Sequence, residues 1–200
     1  MLGRFAEADE SLARVFQTIP ANIEPLHQGI PHFCAVELAW FRDDPNSAMW
    51  HANEVARYGS QAANPYWSAL TSFCYGQAAS TGGDFEKADG FFREALKTAR
   101  ESRAGLEFEA RILATRADNL NRAGDPRLAG QVAAEAISVA RRKADRLAEC
   151  LASLVAARVC LSQAGSRRPP MARTLLDRAK TLVDLTGAVV FRPMMARIAN

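Results

Sequence analysis

Apolar residues recur along this chain in a helical rhythm that repeats about every forty residues. An apolar residue follows four and seven positions after each of five alanines, which is the spacing of one face of an α-helix. A small residue at the first position lets two helix backbones approach closely. The pattern predicts a repeated amphipathic helix that packs through its alanine face, and these alanines are Ala8, Ala48, Ala88, Ala129 and Ala172.

Turn signals stand before these helices. In Gly83-Asp84 and Gly124-Asp125-Pro126, a left-handed glycine can end one helix, an aspartate can cap the next, and proline suits the first helical position. The segments between the repeated helices, such as Tyr66–Ser80, are also apolar at helical spacing. The sequence therefore predicts an all-α fold in which a helix hairpin with short turns is repeated about four times.

The whole chain, residues 1–200, is predicted to form a single helical-repeat domain. No alternating β-branched runs lie between Asn-Gly or Asp-Gly turns, so no strands are expected. The loop at residues 165–170 is the one insertion in the repeat. We place helices at residues 4–18, 31–42, 46–59, 65–81, 84–102, 105–122, 126–143, 145–164 and 170–186.

The residues of one unit resemble the tetratricopeptide repeat, which runs small, small, turn, Ala, Phe, Ala. The resemblance implies a right-handed superhelical solenoid of antiparallel helix hairpins. The period here exceeds the roughly thirty-four residues of that family, and the family's closing proline is absent. The matching residues are Gly76, Ala79, Gly83, Ala88, Phe92 and Ala95, and in the next unit Ala117, Leu120, Gly124, Ala129, Ala133 and Ala136.

The long period is similar to that of helical regions in large bacterial ATPase-type transcriptional regulators and multidomain nucleotide cyclases. Ala8 falls in the second helix of a hairpin whose first helix is not in the sequence. We therefore expect the sequence to be a piece of a longer protein or the product of a truncated reading frame, and the resemblance implies that the longer protein acts in signalling. The face formed by Phe5, Leu12 and Val15 should be poorly covered, and self-association through such an uncapped end is expected.

Composition adds limits on partners and location. Lys and Arg number 25 and Asp and Glu 22, for a net charge of +3, which does not favour direct nucleic-acid binding. The densest basic run, Arg141-Arg142-Lys143 with Arg146, is interpreted as a solvated helix end. The chain starts without a signal-peptide pattern, and no apolar run reaches the length of a membrane span. The four cysteines lack a CxxC pair, so a cytoplasmic location is predicted.

Catalytic and metal-binding motifs are not found. There is no glycine-rich loop ending in Gly-Lys-Ser or Gly-Lys-Thr. His27 and His32 are five residues apart and so not on one helical face, and His51 is interpreted as a hydrogen-bonded structural residue. Cys34 and Cys74 occupy the same repeat position and are predicted to be packed thiols. We expect no enzymatic activity, no cofactor and no metal.

The tetratricopeptide resemblance implies that the first helix of each hairpin lines a concave groove. Polar residues recur at one groove position in three units, and a tryptophan beside them could anchor a peptide. This polar line fits either partner binding or simple solvation. The implied partner-binding residues are Glu37, Trp40, Gln77, Asp118, Asn121 and Arg122.

Two functions remain open. The favoured one is a non-catalytic scaffold that binds a protein segment or a neighbouring domain through the groove. The alternative is a regulatory sensor arm that binds a small effector for an ATPase, cyclase or transcription-regulator domain. An enclosed pocket with converging polar groups would favour the sensor, and an open groove would favour the scaffold.

Overall fold

The computed structural model describes residues 4–20, 22–164 and 169–199. These residues form ten α-helices and two short 3-10 helices, with no strand among them, so the predicted all-α class is confirmed. The chain forms two compact units, one of residues 4–106 and one that starts at Glu107. Gly3 and residues 165–168 of the predicted insertion lie outside the described residues.

The first unit consists of five helices joined by short turns. Within it, α2 packs on α3, α3 on α4 and α4 on α5, and α2 also contacts α4, as expected for consecutive hairpins. Helix α1 lies against α2. The helices are α1 (Phe5–Thr18), α2 (Pro25–Arg42), α3 (Pro45–Ala62), α4 (Pro65–Thr81) and α5 (Phe85–Ser102).

The second unit repeats this arrangement. Consecutive helices α6 to α9 pack in pairs, α6 also contacts α8, and α10 packs against α8 and α9. A 3-10 turn at Leu106–Phe108 precedes α6, and another at Val189–Phe191 precedes α10. The helices are α6 (Glu109–Arg122), α7 (Pro126–Arg142), α8 (Arg146–Ala164), α9 (Pro170–Thr186) and α10 (Arg192–Ala199).

The turns between paired helices have the predicted chemistry. Gly83 and Gly124 have φ angles of +85° and +86°, which places both in the left-handed region that favours glycine. Asp84 and Asp125 each accept a hydrogen bond from the backbone N–H three residues later, at 3.3 and 3.0 Å. These aspartates therefore cap α5 and α7, because they bind an N–H that the helix itself leaves without a partner.

The alanine face is buried in α3, α5 and α7, as predicted, whereas Leu176 on α9 is only half-buried. Ala48, Ala88 and Ala129 are fully buried, and so are the residues four and seven positions after each of them. Close packing of α4 on α5 depends on Gly76, because a Cβ atom there would lie 2.6 Å from the ring of Phe92. The small positions of the repeat thus set how closely neighbouring helices approach.

Several helix bounds differ from the prediction. Helix α3 runs to Ala62 rather than to residue 59, and α6 begins at Glu109 rather than at residue 105. Helix α2 begins at Pro25 rather than at residue 31, and Pro31 lies inside it. Proline removes one backbone hydrogen bond from a helix interior. The helix nevertheless continues, because Pro31 and the residues after it, including Phe33 and Val36, pack into the core. The short helix α10 at the C-terminus was also missed.

Cys34 and Cys74 differ in burial although they share a repeat position. Cys74 is fully buried, as predicted, whereas Cys34 is exposed, so the prediction of a packed Cys34 is wrong. Burial raises the pKa of the Cys74 thiol well above its usual value. A recurring position fixes the helix face on which a thiol lies, but it does not fix whether another helix covers that face.

The prediction that no apolar run reaches the length of a membrane span is wrong for helix α8. Among the described residues, Arg146–Ala164 is long and apolar enough to span a membrane by length and composition alone. Some 61% of its most apolar window is buried inside the protein, as in a core helix. Arg158 lies within it and forms an ion pair with Asp118.

Candidate functional site

The predicted polar line forms a buried pair in the first unit. The side-chain amide of Gln77 donates a hydrogen bond of 2.7 Å to Oε1 of Glu37, which lies forty residues earlier. Glu37 is 1% exposed and Gln77 is fully buried. The two residues therefore stack as predicted, but they do so inside the helix packing rather than on an open surface.

Trp40 is also mostly inside. Its exposed fraction is 8%, and its ring meets the ring of Phe41 edge-on at 4.9 Å between centroids. A tryptophan this buried presents little area to a partner. Its role as a partner anchor stays a prediction.

The second unit carries the equivalent buried pair. Nη2 of Arg158 on α8 lies 2.9 Å from Oδ1 of Asp118 on α6, and Asp118 is 4% exposed. Arg158 comes forty residues after Asp118, so the recurring position continues into α8. Arg158 was not predicted to be a member of the line, although the forty-residue period was the signal. The remaining predicted residues are half-buried Asn121 and exposed Arg122.

Two further carboxylates hold cations in the second unit. Oε2 of Glu109 lies 2.7 Å from Nζ of Lys143. Glu149 accepts hydrogen bonds of 2.8 and 2.9 Å from Arg178 and of 2.8 Å from Arg141, and those of Arg178 contribute most to lowering the pKa of Glu149. Arg141 and Lys143 are therefore not merely a solvated helix end, because each binds a buried carboxylate.

A cleft lies between α1, α2 and α3 in the first unit. Its volume is about 460 Å³, within the size range of small-ligand pockets. We call it the α1 cleft. Trp50, which is 58% exposed, lies on one side of it. The other large or polar lining residues include Asp9, Leu12, Phe16, Leu38, Arg42 and His51.

An ion pair joins α1 to α2 beside the cleft. Arg42 donates two hydrogen bonds to the carboxylate of Asp9, at 2.9 and 2.6 Å, and its guanidinium lies 5.1 Å from the ring centre of Phe5. The hydrogen bonds from Arg42 hold the pKa of Asp9 below its usual value. This pair is largely exposed to solvent.

A pair of histidines lies where α1, α2 and α3 meet. Nδ1 of His32 is 2.9 Å from Nδ1 of His51, so one ring donates and the other accepts a single hydrogen bond. The ring of Phe16 lies over both histidines, and its centroid is 4.8 Å from that of the His32 ring and 6.0 Å from that of the His51 ring. His51 is thus hydrogen-bonded, as predicted, but it is not a lone histidine, because its partner is His32.

Burial sets the protonation of this histidine pair. Desolvation lowers the pKa of His32, and it lowers the pKa of His51 to about 4, with the neighbouring His32 adding to the effect. Both rings are therefore neutral at pH 7. Within the described part of the chain, no cluster of three or more His, Cys, Asp or Glu side chains could hold a metal ion.

Neither a scan against protein-family models nor a search of curated proteins gave a match. The tetratricopeptide resemblance therefore rests on the residue pattern and on the consecutive helix pairs. The link to bacterial regulators and cyclases stays a prediction.

Proposed function

We propose that this protein is a non-catalytic helical-repeat scaffold that binds a protein segment or a neighbouring domain. The observation that carries the proposal is the α1 cleft, with exposed Trp50 beside it. Tryptophan is enriched at the centres of protein interfaces, because it buries a large area and loses little side-chain freedom on binding. A Trp that is 58% exposed leaves most of that area to be covered.

The cleft has the chemistry of an interface that takes apolar side chains. Phe16 and Val15 on α1 are 38% and 39% exposed, so apolar surface continues from the cleft onto the helix. The exposed Asp9–Arg42 pair supplies a polar rim next to it. A partner segment that inserts one or two apolar side chains would find an apolar floor with a polar rim, which is the usual anatomy of an interface.

The residues predicted from the family resemblance take a smaller part in this proposal. Arg122 is exposed and Asn121 half-buried, so these two can meet a partner directly. Glu37, Gln77 and Asp118 are buried and would act by fixing helix positions. We also propose that the hairpins stack into the right-handed superhelix of tetratricopeptide proteins, that the protein is cytoplasmic, and that it serves a larger signalling protein.

A second candidate function is the sensor arm that binds a small effector. The volume of the α1 cleft favours it, because about 460 Å³ could hold a small molecule. The two functions differ in what occupies the cleft. A dialysable component of cell extract that raises the unfolding temperature of the wild type, but not of Trp50→Ala, would favour the sensor.

The test of the scaffold compares two exposed apolar residues of similar accessibility. Trp50 is 58% exposed and Leu185, in the second unit, is 61% exposed. A partner captured from lysate would be purified and titrated against the wild type, Trp50→Ala and Leu185→Ala. We expect Trp50→Ala to weaken binding by about thirtyfold, or about 2 kcal/mol, and Leu185→Ala to leave it unchanged. Equal affinity of all three proteins would contradict a partner site at the α1 cleft.

A further inference from the structure

The hydrogen bond of the histidine pair depends on the number of protons that the two rings share. Two neutral rings can form it, because one Nδ1 carries a hydrogen and the other has a lone pair. One added proton on the donor ring leaves the bond in place. A second added proton gives both rings N–H groups at the facing Nδ1 atoms, which lie 2.9 Å apart, and the two positively charged rings then repel each other. The pair is therefore stable only up to one extra proton.

Helix α1 is held against the rest of its unit by few contacts. None of its fourteen residues is buried. The contacts that the side chains make with α2 and α3 include the Asp9–Arg42 ion pair, the packing of Arg42 on Phe5, and Phe16 on the histidine pair. Of these attachments, the one through Phe16 depends on rings that change charge below neutral pH.

The charged groups around the pair come mainly from α3. Glu54 favours protonation of both histidines, but it is bound to Arg57 at 2.6 Å, and Arg57 disfavours protonation of His32. The ring of Tyr58 stacks on His32 at 5.8 Å. Helix α4, all of whose residues are described, carries no carboxylate or cation. Glu54, the carboxylate that acts on both rings, is therefore already bound to a cation.

The charges on the other two helices lie elsewhere or are paired. On α2, Glu37 bonds to Gln77, Arg42 to Asp9, and His27 is exposed. On α1 all charged side chains are exposed, and Glu7 and Asp9 have cationic partners. The charged residues of α1 are Glu7, Asp9, Glu10 and Arg14.

We propose that the His32–His51 pair is an acid-sensitive latch that holds α1 closed at neutral pH and releases it when both rings are protonated. Release uncovers the face of α2 and α3 beneath Phe16 and removes one wall of the α1 cleft. The latch requires no partner. It concerns only the docking of α1 on its own unit.

The expected size of the effect follows from proton linkage. In the docked state burial and His32 lower the pKa of His51 from 6.5 to about 4. If release restored the ordinary pKa of His51 in full, the equilibrium constant for the release of α1 would rise about twentyfold between pH 7 and pH 5. The sign is fixed, since the released state binds the proton more tightly and so gains as pH falls. The figure counts His51 alone: α2 and α3 still cover part of its ring after α1 leaves, which reduces the effect, whereas His32, whose pKa is also lowered by burial, adds to it.

Hydrogen exchange of the whole chain at pH 7 and pH 5 tests the latch. Protection factors, corrected for the intrinsic pH dependence of exchange, are compared for residues 8–18 of α1 and residues 88–99 of α5. We expect protection of α1 to fall severalfold or more at pH 5, while α5 stays unchanged. The pKa values of Asp9 and Glu54 are lowered, so both remain ionised at either pH.

Two variants separate the latch from general weakening. The double variant His32→Gln/His51→Gln cannot be charged at these positions, and we expect its α1 protection to be the same at both pH values. Asp9→Asn should reduce protection at both pH values and keep the ratio between them. If the double variant is unstable, His51→Gln alone should already reduce the ratio. A pH-independent wild type, or a double variant that keeps the full pH effect, would overturn the proposal.

Discussion

Helices α1 and α5 carry the same apolar stripe and end up in opposite environments. In α5 the three positions of the stripe, Ala88, Phe92 and Ala95, are fully buried. In α1 the equivalent residues include half-buried Leu12 and Val15, which is 39% exposed. The apolar pattern in the sequence therefore predicts which face of a helix is apolar. Whether that face is covered depends on a second helix that fits it.

The fit is visible in the partners of each helix. Helix α5 packs on α4, where Gly76 leaves room for the ring of Phe92. Helix α1 is attached instead through the Asp9–Arg42 ion pair and through Phe16 on two histidines. Ion pairs exposed to solvent contribute little stability and are weakened by salt. The two helices should thus differ sharply in what a substitution costs.

Removing one aromatic ring from each of the two helices should give the largest difference. Phe92→Ala leaves a cavity in a fully packed site and should lower the free energy of unfolding by about 3–5 kcal/mol. Phe16→Ala removes a ring that is 38% exposed and should lower it by less than about 1 kcal/mol. Urea unfolding followed by circular dichroism measures both. Equal losses would show that α1 is as integrated as α5.

Enlarging the small position should give a smaller difference of the same kind. Ala88→Leu adds three carbon atoms at a fully buried site and should cost about 1–3 kcal/mol through overpacking. Ala8→Leu falls on the half-buried position of α1 and should change stability by no more than about 0.5 kcal/mol. The same unfolding experiment applies. A stable Ala88→Leu protein would mean that α4 and α5 can separate without loss.

These differences separate the features that could be predicted from the sequence from those that could not. The helices could be predicted from the forty-residue period, the turn residues and the alanine positions, because each of these signals depends on residues close together in the chain. The line Glu37, Gln77, Asp118 was found by the same period, but its burial was not, since burial depends on contacts between helices. Cys34 and Cys74 fail in the same way, with one repeat position and two exposures. The histidine pair was not predicted, because its two residues lie nineteen positions apart in the chain, on α2 and α3.

Ion pairs give the last and smallest contrast. Glu149 is 4% exposed and bound by Arg178 and Arg141, whereas half of the Asp9 side chain is in solvent. Glu149→Gln keeps the shape but removes the charge, and should cost about 1–2 kcal/mol because two guanidinium groups lose their anion. Asp9→Asn should cost less than about 1 kcal/mol, and less again in high salt.

The pH dependence of the unfolding free energy is a second test of the ion pairs that Glu149 forms with Arg178 and Arg141. Its pKa in the folded protein lies below the ordinary 4.5, because Arg178 and Arg141 hold the charged form. The unfolded chain therefore takes up the proton first, and the contribution of Glu149 is complete above pH 4.5 and lost as the pH falls below it. Unfolding free energies of the wild type and Glu149→Gln should converge between pH 6 and pH 3. A gap that stays constant over this range would mean that the arginines do not act through the charge of Glu149, and that the variant is weakened by packing alone.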